Sequence, residues 1–66
     1  MKNIIKDLRE KKGLSQEHLA NKCGVSRQTI NAIENNKYDP TLKLAFSLSE
    51  VLNTTVDELF LKKDLR

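Results

Sequence analysis

The segment Leu14-Ser15-Gln16-Glu17-His18-Leu19-Ala20-Asn21-Lys22-Cys23-Gly24-Val25-Ser26-Arg27-Gln28-Thr29-Ile30-Asn31-Ala32-Ile33-Glu34-Asn35 reads as two short helices joined by one sharp turn. Ser15 is a good N-cap, because its hydroxyl can accept a free backbone N–H of the first turn. Leu19, Ala20 and Cys23 then fall on one face. Gly24 ends that helix, where a tight reversal needs positive φ and glycine supplies it without a steric penalty. Ser26 caps the next helix, which turns Ile30 and Ile33 inward and runs to about Asn35. Ala20 is small at the point where the two helices must cross closely. Neither helix, at about eight residues, would be stable alone in water. The apolar contacts of Leu19, Cys23, Val25, Ile30 and Ile33 must therefore hold the pair together.

Outward from this pair, apolar residues keep recurring at three- and four-residue steps, and no stretch alternates at period two. A helix over about 3–12 places Ile4, Ile5 and Leu8 inward and stops at Gly13. Asn36-Lys37-Tyr38-Asp39-Pro40 is a loop on its turn chemistry. Thr41 caps a helix over about 42–52, with Leu42, Ala45, Leu48, Ser49 and Leu52 along the inward stripe. Asn53 can end it in the left-handed conformation. Thr55 and Glu58 form a capping box that opens a short fifth helix before Leu59-Phe60. The expected fold is all-α: a compact five-helix bundle, with residues 1–66 as a single domain. The central pair occupies 15–35, and the C-terminal helices and a dimerisation surface occupy 42–66. Whether Met1-Lys2-Asn3 pairs with Leu59–Lys63 as a short strand is left open by the residues alone.

Two helices crossing over a tight turn form the helix-turn-helix arrangement, whose second helix enters the DNA major groove. The runs Leu14-Ser15-Gln16-Glu17-His18-Leu19-Ala20, Gly24-Val25-Ser26-Arg27-Gln28-Thr29-Ile30 and Ile33-Glu34-Asn35 resemble the phage-repressor and Cro-like (xenobiotic-response-element type) helix-turn-helix regulators. Pro40-Thr41-Leu42 and Val56-Asp57-Glu58-Leu59-Phe60 match that family's later helices, so the resemblance covers residues 3–61. It implies a five-helix, lambda-repressor-like DNA-binding domain, usually dimeric and acting on transcription.

The charge pattern is compatible with such a partner. Lys and Arg number 12 against 9 Asp and Glu, for a net charge of +3. The excess is concentrated in residues 1–43, which hold nine basic and five acidic side chains. A face of that sign suits a polyanion. On the third helix, with Ile30 and Ile33 inward, the outward side carries Arg27, Gln28, Asn31 and Ala32. Arg can bond guanine O6 and N7, Gln and Asn can bond adenine N6 and N7, and a short apolar side chain can meet a thymine methyl. Arg27, in the first helical turn, could equally take a phosphate.

A second group would position the duplex without reading it. Gln16 stands in the first turn of the second helix, where free N–H groups and the helix dipole attract phosphate. Ser26, Thr29, Asn35, Asn36, Lys37 and Tyr38 cluster around the third helix and the loop after it. Family members use the corresponding positions for the sugar-phosphate backbone. Ser26 could instead serve only as a cap, and Thr29 only as a spacer. The resemblance also implies that Arg9 and Glu34 form an ion pair fixing the first helix to the motif, a structural role rather than a contact with DNA.

Several other classes are excluded by what is missing. One cysteine cannot form an internal disulfide. No apolar run approaches the ~18 residues that a bilayer span requires, and no signal-peptide pattern is present. His18 and Cys23 stand alone, short of the roughly four ligands that a structural zinc needs. No catalytic constellation or cofactor motif is present, so neither an enzyme, a metal nor a cofactor is expected. The expected location is cytoplasmic, on the nucleoid.

Once the stripe of the fourth helix is assigned, Leu44 and Val51 lie seven apart on a second face, and Phe46, Leu61 and Leu65 are unplaced. Such a patch suits a twofold homodimer, which needs only one surface. Alternatively, Phe46 and Leu61 fold over the first helix. The expected function is sequence-specific binding of double-stranded DNA at a near-palindromic operator, as a repressor. Two rivals remain. In one, the chain is an antitoxin-like or phage-maintenance subunit with a further protein partner and autoregulatory DNA binding. In the other, it is a protein-interaction module that never meets DNA.

Overall fold

The computed structural model describes residues 2–60; Met1 and residues 61–66, and with them Leu61 and Leu65, lie outside the described residues. Five helices follow in order: α1 (Ile5–Lys11), α2 (Gln16–Cys23), α3 (Arg27–Glu34), α4 (Leu42–Val51) and α5 (Val56–Leu59). The sequence signals act where expected. Ser15, Ser26, Thr41 and Thr55 each accept the backbone N–H of the residue three further on, which satisfies a donor that the helix cannot.

At the end of α2, Gly24 stands at φ +71° while the Val25 N–H reaches back to the Ala20 carbonyl at 3.0 Å. This is the Schellman closure. A β-carbon on Gly24 would meet nothing within 4 Å, so the backbone angle, and not crowding, is what calls for glycine. Asn36 (φ +61°) ends α3 in the same way, with the Lys37 N–H on the Ala32 carbonyl at 2.9 Å. Asn53, at φ +56°, follows α4.

One contiguous core joins all five helices: Ile5 of α1, Leu19 and Ala20 of α2, Ile30 and Ile33 of α3, Leu44, Ala45 and Leu48 of α4, then Leu52, Leu59 and Phe60. Ile4, Leu8, Cys23 and Val25 pack half-buried at its edge. The two chain ends meet through an isolated antiparallel bridge between Asn3 and Phe60, with the Ile4 N–H on the Leu59 carbonyl at 3.1 Å. Of the strand pairing left open above, this bridge lies within the described residues, whereas Met1 and Leu61–Lys63 do not.

The first turn of α4 differs from expectation. Leu42, placed inward by its stripe, is 69% exposed, whereas Leu44, assigned to a dimer surface, is 8% exposed and part of the core. The reason is angular. At about 100° per residue, Leu44 sits only ~40° from the fully buried Leu48, but Leu42 sits ~120° away. The stripe thus runs Leu44, Ala45, Leu48, Ser49, Leu52. Ser49 is tolerated inside because its hydroxyl donates to the Phe46 carbonyl at 2.7 Å.

Candidate nucleic-acid interface

Burying Ile30 and Ile33 turns the opposite side of α3 to solvent. Arg27, Gln28 and Asn31 are exposed and Ala32 is half-buried, so the four residues expected to touch bases share one accessible face. Arg27 and Gln28 make no side-chain hydrogen bond to another described residue. Their donor and acceptor positions, about five donors on Arg and four sites on Gln, are available to a partner.

Asn31 is held differently. Its Oδ1 accepts from Asn35 Nδ2 at 3.1 Å, and its Nδ2 points at Gln16 Oε1 across a long 3.5 Å. Gln16 in turn donates from Nε2 to Glu34 Oε1 at 3.0 Å. Glu34 is the hub. Its Oε2 takes Arg9 Nε at 2.7 Å and its Oε1 takes Arg9 Nη2 at 3.2 Å, while the third face of the guanidinium, Nη1, donates to the Leu14 carbonyl at 2.8 Å. The Glu34 side chain is only 3% exposed. Its hydrogen bond raises the Arg9 pKa above the ordinary value, against the lowering effect of burial. One ion pair therefore fastens α1, the start of α2 and the end of α3 to each other.

The residues expected at the phosphates lie around this face with unequal freedom. Lys37 is exposed, and its place beyond the end of α3 is set by the Asn36 turn. Asn36 receives only a long 3.4 Å contact from Asn3, on Oδ1, which leaves its amide N–H groups to donate. Ser26 and Thr29 share a 3.0 Å hydroxyl pair, so one of the two protons is used between them and one is left. Asn35 turns its amide nitrogen to the Asn31 carbonyl at 2.9 Å as well as to Oδ1. Only its oxygen remains, and a phosphate cannot donate to it. Gln16 is half-buried and keeps one N–H beyond its bond to Glu34. Tyr38, 48% exposed, lines a cleft of about 340 Å³ with Thr29, Lys43 and Cys23.

Two contributors escaped the sequence reading. Asn3 donates to the Ile33 carbonyl at 2.9 Å and accepts the Ile5 N–H at 3.1 Å, so it joins the start of α1 to the end of α3. A lone Asn ahead of an apolar pair is a weak cue for a contact thirty residues away. Lys43 adds a cation beside Tyr38; its position just after the Thr41 cap was the available signal. Among the proposed interface residues of α4, Phe46 is 53% exposed, Val51 is half-buried against the core, and Leu44 is removed by its burial. Cys23 is a half-buried thiol whose pKa is pushed up by burial, and no metal-binding group of His, Cys, Asp and Glu occurs among the described residues. No described helix is long and apolar enough to cross a membrane.

Five helices among the described residues, four of them opened by a hydroxyl cap, a glycine-turned pair at their centre and a polar outer face on its second helix define a class, and the helix-turn-helix family model matches residues 5–59. The chain belongs to the helix-turn-helix family of transcriptional regulators, whose members are DNA-binding proteins and not enzymes. It is 50% identical over 64 residues to an HTH-type transcriptional regulator of Methanocaldococcus jannaschii, spanning 97% of both chains. The restriction-modification controller protein C.AhdI from Aeromonas hydrophila shares the fold at a TM-score of 0.78, with 34% identity and 85% of each chain covered. SinR, a master regulator for biofilm formation solved in complex with DNA, aligns at a TM-score of 0.72 and 36% identity over 79% of this chain and 84% of that one.

Proposed function

We propose that this protein represses transcription by binding a near-palindromic operator as a homodimer, with α3 of each protomer in the major groove. The observation that carries this reading is the exposed row Arg27, Gln28 and Asn31, raised on a helix whose other side is anchored by Ile30, Ile33 and the Arg9–Glu34 pair. Those three side chains read base edges and Ala32 meets a thymine methyl. Lys37, Asn36, Tyr38, Ser26, Thr29 and the free backbone N–H groups that open α2 hold the sugar-phosphate backbone. Asn35 acts through Asn31.

The twofold contact is formed by Phe46 with Leu42, one turn apart on the exposed side of α4, and Val51 at its margin. Two recognition helices then reach successive major-groove faces about 34 Å apart. Binding to nucleoid DNA in the cytoplasm follows from this role. The same apolar pair supports a second reading, in which α4 receives a different protein and DNA binding is autoregulatory.

Selection of bound duplexes from random DNA tests the first reading. It predicts an inverted repeat with half-sites one helical turn apart. Phe46→Asp, sedimenting as a monomer with unchanged helicity, should then select single half-sites. Enrichment of no sequence would refute the proposal, and an inverted repeat that survives in the Phe46→Asp protein would displace the interface.

A further inference from the structure

A carboxamide is nearly symmetric in shape, and rotating it by half a turn exchanges its donor for its acceptor. A side chain that reads a base by one donor and one acceptor must therefore be told which way to face. In this protein the instruction begins at Glu34. Its carboxylate can only accept, so Gln16 must turn its NH2 end inward, where Nε2 sits 3.0 Å from Glu34 Oε1. The Gln16 carbonyl is thereby aimed outward, and being an acceptor it can face only the NH2 end of Asn31, at 3.5 Å. Asn35 Nδ2, at 3.1 Å from Asn31 Oδ1, imposes the same sense from the other side. The polarity of a nearly buried ion pair is thus handed through two amides to the exposed face of α3.

We propose that Gln16 is a positioning residue that fixes the orientation of the Asn31 amide and so determines the base read at that position. The outward edge of Asn31 is left with one N–H and one oxygen lone pair in a set order. That pattern matches the N7 acceptor and N6 donor of adenine in the major groove. Gln16 does this through Asn31 and without itself touching a base, a role distinct from holding a phosphate. The proposal rests on the reading of α3 as the base-reading helix.

The test compares the wild-type protein with Gln16→Met, which keeps length and removes both polar ends, with Asn31→Ala, and with the double variant. In selections from random duplex DNA, Gln16→Met should lose about tenfold of the preference at the base pair that Asn31→Ala also relaxes, in line with one bidentate contact. Its affinity for non-cognate duplex should be retained, and the double variant should be no worse than Asn31→Ala alone. A uniform loss on every sequence, cognate and non-cognate alike, would make the Gln16 side chain a backbone contact and overturn the proposal. Nuclear magnetic resonance of the free protein gives an arm that needs no DNA. The side-chain NH2 signals of Asn31 should move in Gln16→Met, and unchanged signals would overturn the orientation even if the protein reads DNA. Moved signals in a protein that selects no sequence would instead refute the proposed function while leaving the Gln16–Asn31 coupling intact.

Discussion

The two halves of this bundle are held by different kinds of force. Around α2 and α3 the fixing contacts between elements are directional: the Arg9–Glu34 pair, Gln16 on Glu34, and Asn3 on the Ile33 carbonyl. Around α4 and α5 they are mostly apolar, with Leu48, Leu52, Leu59 and Phe60 packed together. Hydrophobic burial is non-directional, whereas a hydrogen bond weakens steeply once its angle is lost. The half whose outer face is polar is therefore the half whose orientation is most tightly specified. The half with exposed Leu42 and Phe46 can accept a partner by area alone.

If that contrast holds, the largest single effect should fall on the ion pair. Glu34→Ala would leave the Arg9 guanidinium buried without its partner and should cost about 3–5 kcal/mol in chemical denaturation. A loss below 1 kcal/mol would mean that the directional half is held by packing after all. Next comes α4. Leu48→Ala should destabilise by about 2–5 kcal/mol through lost burial and a cavity. Leu42→Ala, two turns away on the open side, should stay within about 0.5 kcal/mol of wild type. Equal losses would return Leu42 to the core.

Smaller effects separate the DNA-facing roles. Lys37→Ala should weaken binding to all duplexes alike and lower the salt-dependence slope by about one. A loss confined to one sequence would instead make Lys37 a base reader. The smallest expected effect concerns Cys23. Its pKa is raised by burial, so alkylation of the native protein near neutral pH should run slower than that of a free cysteine. Labelling at the free-thiol rate would place the thiol in open solvent.

The contrast between the halves also explains which parts could be read from the residues in order. Local signals marked most helix ends, because Ser15, Gly24, Ser26, Thr41 and Asn53 act on backbone groups within a few positions of themselves; the start of α1, with no hydroxyl cap, and the Asn36 stop of α3 were not marked. The inward faces of α2 and α3 were legible for the same reason. The first turn of α4 was not, since Leu42 and Leu44 are both apolar and both border the same stripe; only the packed position of α4 decides between them. The face of α3 could be assigned by subtraction from Ile30 and Ile33. The chain of amides behind it could not, because Gln16, Asn31 and Glu34 come together only when α2 and α3 cross. The pairing of Asn3 with Phe60 stayed open and the bond from Asn3 to the Ile33 carbonyl was missed on similar grounds, because each joins residues far apart along the chain.

The central claim is that the outer face of α3 meets the edges of bases. Titrating an operator duplex into isotope-labelled protein, while following backbone and side-chain amides, tests it most directly. The largest shifts should fall on Arg27, Gln28, Asn31 and Lys37, saturating together, while Leu48 and Leu59 stay in place. Shifts confined to Leu42, Phe46 and their neighbours, with the α3 signals unmoved, would contradict it.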